Sequence, residues 1–282
     1  MKLGLNGATI MRSPIEDDVT IAAETGFSAI EFWAAKLDAH DGPLEQLGER
    51  VRASGLMPSC VNSIENITAR DGAGRQAVLE ELRHRVAMAR ALGAPAIVVV
   101  PSCVTGAVAR SEAIADAVDT LRAMSDEAGD VTLAFEFLGK PGCTVPTLDM
   151  AIEIVERVDR ANVGIVLDVF HFYAGGSALE DVRRIPLEKL QVVHLNGAEN
   201  LPKSQLTDAH RLYPGEGVVP AVDILRLLRE RGYDGVASVE IFRPEYWEQD
   251  PRTVARAAFT GATGTLLAAG YALASPTSDT AS

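Results

Sequence analysis

Short apolar runs alternate in strict order with longer segments of helical spacing. The apolar runs are residues 2–6, 27–32, 56–62, 96–100, 131–135, 163–167, 190–193 and 235–239. The runs 96–100 and 163–167 lack polar alternation, which is typical of strands covered on both faces in a parallel sheet. The predicted helices are residues 14–25, 43–53, 74–92, 107–128, 147–158, 177–184, 219–231 and 253–272.

This pattern predicts an α/β protein made of a single (β/α)8 TIM barrel over residues 1–272. Eight strand–helix units follow one another without a linker-like break, and that number suits a closed barrel better than an open sheet. Residues 273–282 are rich in Ser, Thr and Ala, and we expect a disordered C-terminal tail. No GxGxxG follows the first strand and no GxxxxGK[ST] occurs, which argues against a nucleotide-binding fold.

Four consecutive strands end in potential metal ligands. Glu136, Asp168, His194 and Glu240 each follow an apolar run, so a barrel places them on one arc of one rim. A single acid after a strand is more often a helix cap or a solvated loop residue. Three carboxylates close together repel one another unless a cation neutralises them, and an imidazole completes a mixed set. The set therefore predicts one divalent ion, with Mn²⁺ favoured and Zn²⁺, Co²⁺ or Mg²⁺ as alternatives.

Other side chains at the same rim are candidates for contact with a substrate. His171 follows the Asp168 strand and either takes part in catalysis or packs among the neighbouring aromatic rings. Arg211 lies in a long polar loop, residues 196–217, that would cross the barrel mouth, so we expect it to bind a substrate oxygen rather than only solvent. The tips of the early strands add three further substrate-binding candidates, Asn6, Asn62 and Trp33.

Composition narrows the function classes. The 282 residues are 47% hydrophobic, enough for a large core, yet charges or turn residues interrupt every apolar run before membrane-spanning length. A net charge of −13 argues against a nucleic-acid partner. The N-terminus lacks the features of a signal peptide, so we expect a cytoplasmic protein. Three cysteines, Cys60, Cys103 and Cys143, are distant in sequence and without CxxC spacing, and we expect reduced thiols.

Several motifs resemble those of one known superfamily. The stretches EFLGKPGCTV, NVGIVLDVFHFYAGGS, DAHRLYPGEG and SVEIFRPEY are similar to the xylose isomerase-like barrels of sugar isomerases and epimerases. DVFHF together with FRPEY points to the inosose (2-keto-myo-inositol) isomerase branch. The similarity runs over nearly the whole chain. It implies an enzyme of inositol or carbohydrate metabolism that acts on a small keto-polyol or keto-sugar, as a homo-oligomer or with a partner subunit.

The resemblance also implies roles for individual residues. Glu136, Asp168, His194 and Glu240 would bind one metal ion, and Glu136 and Glu240 would exchange protons with adjacent carbons. His171 and Arg211 would contact the substrate carbonyl or hydroxyls. The reaction would be a 1,2-shift of a carbonyl in a cyclic polyhydroxy ketone through an enediolate. Two positions depart from the family pattern, because Asn196 and Gly7 stand where acids are frequent.

Three other functions remain open at this point. A lyase on the same scaffold would use the same enediolate to eliminate from inosose, dehydroshikimate or a 3-keto-glycoside. A DNA-repair endonuclease shares the barrel but needs more metal ligands and a basic face. A non-catalytic subunit of a sugar-modifying complex would not need the full ligand set.

Overall fold

The computed structural model describes residues 1–272, and within them eight parallel strands close into a barrel. The predicted tail, 273–282, lies outside the described residues. In chain order the strands are β1 (Lys2–Asn6), β2 (Ala29–Trp33), β3 (Met57–Ile64), β4 (Ala96–Val99), β5 (Thr132–Glu136), β6 (Val163–Asp168), β7 (Leu190–Leu195), β8 (Gly197–Ala198), β9 (Arg211–Leu212) and β10 (Val236–Val239). Of these, β8 and β9 form a separate two-stranded sheet. Around the barrel the order is β1-β10-β7-β6-β5-β4-β3-β2, so the predicted (β/α)8 barrel is confirmed.

The helices form the outer layer of the barrel. They are α1 (Ile15–Thr25), α2 (Ala34–Asp38), α3 (Leu44–Ala53), α4 (Gly72–Leu92), α5 (Arg110–Ala128), α6 (Leu148–Val158), α7 (Val169–Gly175), α8 (Leu179–Arg184), α9 (Ala221–Glu230), α10 (Pro244–Trp247) and α11 (Pro251–Ala268). The eight predicted helices are all present, with ends shifted by a few residues. The sequence pattern missed α2, α7 and α10, because each is a short helix that begins within five residues of the end of a strand.

Alternation along the strands decides which side chains enter the barrel. On β5, Leu133 and Phe135 pack in the large core between strands and helices, whereas Ala134 packs with Val166 and Val192 in a smaller core. Because successive strand side chains point to opposite faces, Ala134 and Glu136 share the inner face. The same spacing of two puts the last polar residues of the other strands inside the barrel mouth.

The long polar loop, residues 196–217, is an ordered structure. Within it β8 and β9 pair antiparallel, with Gly197 opposite Leu212. The loop is tied to the segment after β10, since the Tyr213 and Tyr246 rings stack with centroids 4.2 Å apart. This arrangement fixes the loop across one side of the barrel mouth. Within residues 1–272, no helix has the length and apolar character needed to cross a bilayer.

Candidate metal centre

The four predicted ligands converge at the carboxyl ends of neighbouring strands. Glu136, Asp168, His194 and Glu240 each offer one ligand atom, and these atoms lie within 4.8 Å of one another. All four side chains are buried. The strand register explains the meeting, because Asp168 pairs directly with His194 across β6 and β7. Asp168 also caps α7, where its carboxylate accepts bonds from the backbone of Phe170 and His171. It is therefore both a helix cap and a member of the cluster.

The His194 imidazole presents one nitrogen to this cluster. Nδ1 lies 3.1 Å from Glu136 Oε1 and 3.3 Å from Glu240 Oε2. Nε2 points the other way and lies 3.0 Å from Oε1 of Glu31. Nδ1 is therefore the nitrogen that can ligate a metal, and Glu31 can accept the proton on Nε2.

Glu31 is a site residue that the sequence reasoning missed. It is the middle residue of β2, fully buried, and also accepts a 3.0 Å hydrogen bond from Asn62. The strand reads AIEFW, and counting back by two from its tip puts Glu31 on the same face as Trp33. That alternation was the available signal, but Glu31 lies two residues before the tip of its strand, whereas the four predicted ligands lie at or beside strand tips.

Charge is tightly balanced at this centre. Burial, together with the charges of Glu240 and Asp168, outweighs the neighbouring His194 and raises the pKa of Glu136 to about 7. Burial opposes a charge on His194, but Glu240, Glu31 and Glu136 together raise its pKa well above the usual value. Burial likewise opposes a charge on Asp168, yet Arg211, His194 and the backbone N–H of His171 hold its pKa well below the usual range. Positive charge at the centre of the cluster is therefore strongly favoured.

Arg211 is the cation that the polar loop contributes. Its side chain is 1% exposed, and Nη1 donates to Asp168 Oδ2 at 2.6 Å and to Glu240 Oε2 at 3.0 Å. Nη2 donates to Asp208 at 3.1 Å and lies 3.1 Å from Nε2 of His171. Three carboxylates and two aromatic faces thus fix the guanidinium at the edge of the cluster.

His171 is held as a neutral imidazole. Burial lowers its pKa to about 3, with Arg211 adding to the effect against Asp168. Because Arg211 can only donate, Nε2 of His171 accepts and Nδ1 carries the proton. That Nδ1 is buried and has no hydrogen-bond partner within residues 1–272. His171 therefore keeps an unused donor beside the cavity.

Glu240 is clamped by amide donors. Nδ2 of Asn62 lies 2.7 Å from Glu240 Oε1, and Nδ2 of Asn6 lies 3.1 Å from the same oxygen. Asn62 and Trp33 line the cavity above the cluster, whereas Asn6 is fully buried and is not among the lining residues. Asn6 therefore contacts a glutamate of the cluster rather than the cavity.

The cluster forms the floor of a cavity of about 330 Å³ at the barrel mouth. Glu136 and Glu240 both line it, while Asp168 and His194 lie beneath. The polar loop contributes Asp208 and Arg211 to its wall, and Asp208 pairs with Lys140 at 2.5 Å. The volume is near the lower end for small-molecule sites, so a single-ring ligand suits it.

Comparison with known proteins decides the family. The family description "xylose isomerase-like TIM barrel" matches residues 19–260 of this chain. The chain belongs to the xylose isomerase-like TIM barrel family. It is 35% identical over 254 residues to the inosose isomerase of Halalkalibacterium halodurans, a match that covers 88% of this chain and 90% of that protein. The inosose isomerase of Bacillus subtilis is also 35% identical, over 88% of this chain and 91% of its own length.

The crystal structure of the IolI protein with a bound zinc atom superposes with a TM-score of 0.91. It is 33% identical, and the match covers 94% of this chain and 98% of that one. The resemblance expected from the motifs to this xylose isomerase-like family is therefore confirmed.

The two departures from the family pattern leave the donor set intact. Asn196 is fully buried, lies 3.3 Å from Asp168 Oδ1 and does not line the cavity, so it supports a ligand instead of acting on a substrate. At Gly7 an added Cβ would lie 3.0 Å from Asp18 Oδ2 and 3.3 Å from the backbone of Trp33. An acid at position 7 would therefore crowd Trp33 and place its Cβ against the carboxylate of Asp18.

The residues present fit a divalent cation. Three carboxylate oxygens and one imidazole nitrogen point at a common space, which is a donor set for Mn²⁺, Zn²⁺ or Co²⁺. Without such an ion, Arg211 and the protonated His194 are the cations that these three acids contact within residues 1–272. A divalent cation would neutralise the negative charges of these carboxylates and would leave the hydrogen bond between Nε2 of His194 and Glu31 in place.

Proposed function

We propose that this member of the family is a divalent-metal-dependent isomerase that moves a carbonyl to the adjacent carbon of a cyclic polyhydroxy ketone of the inosose class. The observation that carries the proposal is the position of the four metal ligands at the floor of the cavity. Two of these ligands, Glu136 and Glu240, line the cavity. Both glutamates are then within reach of neighbouring carbons of one ring. The similarity to inosose isomerases over most of the chain supports the substrate class.

Glu136, Asp168, His194 and Glu240 would hold the metal ion. When bound, a divalent cation supplies the Lewis acidity that stabilises the negative charge of an enediolate. The ratio of three carboxylates to one imidazole favours Mn²⁺ as the resident ion, because oxygen ligands suit Mn²⁺ better than Zn²⁺. Metal analysis of protein purified without added metal tests this assignment.

The two glutamates differ in their hydrogen bonds. Glu240 accepts from Asn6 and Asn62 on one oxygen and from Arg211 on the other, so its carboxylate is fixed as an acceptor. Glu136 has one such partner, His194. We therefore assign the removal of the α-proton to Glu136, which has the freer carboxylate, and the orientation of the ring and return of the proton to Glu240.

The remaining residues of the cavity would orient the substrate. His171 lines the cavity and Arg211 holds its Nε2 in place, so the imidazole ring would contact the substrate as part of the cavity wall. Asn62 and Trp33 lie on the opposite wall and would contact the ring from that side. The polar loop holds Arg211 and Asp208 against the cavity and limits the entry of water.

The charges of the cavity favour a neutral substrate. Three basic side chains line it, and two are already paired: Lys140 with Asp208, and Arg211 with Asp168 and Glu240. The third, His171, is neutral near pH 7. Among the described residues no lining cation is therefore free to bind a carboxylate. This supports a keto-polyol and argues against dehydroshikimate, which carries one.

Elimination of water from the same neutral ketone is the competing reaction. Incubation of the metal-loaded enzyme with a keto-inositol in D₂O, followed by NMR and mass spectrometry, separates the two. Isomerisation gives a ketone of unchanged composition apart from incorporated deuterium. A product that has lost water would replace the isomerase by a dehydratase, and an unchanged, undeuterated substrate would contradict both.

A further inference from the structure

Two cysteines meet at the mouth of the cavity, although they are far apart in sequence. The loop after β4 and the loop after β5 form a short antiparallel bridge at Cys103 and Cys143. Val104 N donates to Gly142 O at 2.9 Å, and Thr144 N donates to Ser102 O at 3.0 Å. The two cysteines are therefore directly opposite each other, between these bonds, as a non-hydrogen-bonded pair.

That position has the spacing of a disulfide. The Cα atoms of such a pair are about 4.5 Å apart and the side chains leave from the same face. Disulfides span Cα distances from about 4.4 to 6.8 Å, so the bond needs no large backbone shift. The close approach depends on Gly142, where an added Cβ would lie 2.6 Å from Val104 O.

Buried hydroxyl groups on the residue Thr68 and its neighbours also hold the bridge in place. Thr68 Oγ1 accepts from the backbone of Ser102 at 2.8 Å and lies 2.8 Å from Thr144 Oγ1. These hydroxyls are buried. Buried hydrogen bonds thus fix the residues that flank both cysteines. The backbone therefore holds the two cysteines opposite each other before any disulfide forms.

The two thiols differ in exposure and reactivity. Cys103 is exposed and lines the cavity, whereas Cys143 is partly buried. The groups that face Cys103 are the Cys143 thiol, Lys140 and Asp208; the first two outweigh burial and Asp208 and lower the pKa of Cys103 to about 6. The same contact with Cys103, together with burial, raises the pKa of Cys143 well above the usual value. Cys103 is therefore the attacking thiolate and Cys143 the resolving thiol.

We propose that Cys103 and Cys143 are a site of reversible thiol–disulfide exchange with low-molecular-weight disulfides, which closes a cross-strand bond at the cavity mouth. The Cys103 thiolate attacks one sulfur of the small disulfide and expels one thiolate. Cys143 gives its proton to solvent and attacks the Cys103 sulfur of the mixed disulfide, which expels the second thiolate. Two protein thiols are oxidised and one small disulfide is reduced to two thiols.

This bond would keep the cavity free of adducts. Cys103 shares the lining of the cavity with Glu136 and Lys140, so a molecule left attached to its sulfur would stand at the entrance. Attack by Cys143 removes that adduct and leaves only the bond between the loops. The third cysteine, Cys60, is 2% exposed and belongs to the core inside the barrel, so it has no part in the exchange.

The test is treatment of the full chain with oxidised glutathione, followed by intact mass and peptide mapping. Wild type is expected to lose two hydrogens and to yield a peptide that links Cys103 to Cys143, both reversed by dithiothreitol. Cys143→Ala should stop at one attached glutathione on Cys103, and Cys103→Ala should stay unmodified over the same period. Cys60→Ala is the matched control and should behave as wild type.

A wild-type protein that ends with a stable glutathione adduct, or that remains reduced while Cys143→Ala is modified, would overturn the proposal. So would a disulfide that includes Cys60. Circular dichroism of each variant confirms that it is folded before the reaction is scored. None of these outcomes depends on the isomerase reaction.

Discussion

Glu31 Oε1 lies 3.0 Å from Nε2 of His194, on the side of the imidazole opposite to the metal cluster. Both side chains are fully buried. A carboxylate in this place fixes the orientation of the ring and its tautomer, so that Nδ1 is free to ligate. Glu31 is therefore a positioning residue of the centre, even though it lies outside the set of four converging ligands.

Replacement of Glu31 by Gln tests this relationship. The variant keeps the size of the side chain but loses the charge that makes the imidazole a better ligand, so we expect metal affinity to fall about 10–100-fold. Competition with a chromophoric chelator measures the affinity without reference to turnover. Glu65→Gln is the matched control, because Glu65 lines the cavity but does not contact His194. Equal affinity in Glu31→Gln and wild type would remove Glu31 from this role.

The proton-transfer assignment predicts a large loss in Glu136→Gln. With metal saturation verified by elemental analysis, kcat should fall by about two to four orders of magnitude, the usual range for losing general acid–base catalysis. Glu240→Gln should lose turnover to a similar extent. Deuterium exchange at the α-carbon separates their roles, since it should vanish in Glu136→Gln and persist in Glu240→Gln. Near-normal turnover in either variant would remove that glutamate from the mechanism.

Arg211 should matter to the stability of the protein as well as to its activity. Its guanidinium is buried and is the shared partner of Asp168, Asp208 and Glu240. Arg211→Ala removes the cation that Asp168 and Glu240 share and leaves them with His194 alone, so the free energy of unfolding of the metal-free protein should fall by about 3–5 kcal/mol. Urea titration measures this change. Arg226→Ala, at an exposed ion pair with Asp223, is expected to change stability little. If the two substitutions lowered the free energy of unfolding equally, the buried ion pairs of Arg211 would contribute no more to stability than an exposed pair.

The reactivity of Cys103 should titrate at an unusually low pH. Thiolate is the reactive form, and the neighbouring Cys143 thiol and Lys140 lower the pKa of Cys103 to about 6 against burial and the charge of Asp208. Its rate of alkylation by iodoacetamide should therefore rise through about pH 6 and be nearly constant above pH 7. In Cys143→Ala the largest stabilising contact is lost, and the midpoint should move upward. A wild-type midpoint at the ordinary thiol value would contradict the assignment.

The sequence predicted the barrel because each unit repeats the same simple pattern. Apolar runs marked the strands, and the residues at their tips, such as Asp168 and His194, could be assigned to one rim. The sequence did not reveal α7, since Asp168 ends a strand and caps a helix at the same residue. Local pattern could not identify Glu31 as a partner of His194, because that contact joins two residues that are 163 positions apart in the sequence.

The pairing of the loops was equally hidden. Cys103 and Cys143 belong to different strand–helix units. The local sequence around either cysteine does not predict that the two loops pair with each other. The positions of Asn6 and Asn196 show the same limit. Asn6 was expected to bind substrate and Asn196 was noted as a departure from the family pattern, yet the three-dimensional arrangement shows that they contact Glu240 and Asp168 and do not line the cavity.

The central claim is that Glu136, Asp168, His194 and Glu240 hold one divalent cation at the floor of the cavity. Anomalous diffraction from crystals grown with Mn²⁺ tests it most directly. We expect a single strong anomalous peak within bonding distance of one oxygen from each carboxylate and of His194 Nδ1, with Nε2 still hydrogen-bonded to Glu31. A peak elsewhere on the protein, or none at saturating Mn²⁺ or Zn²⁺, would contradict it.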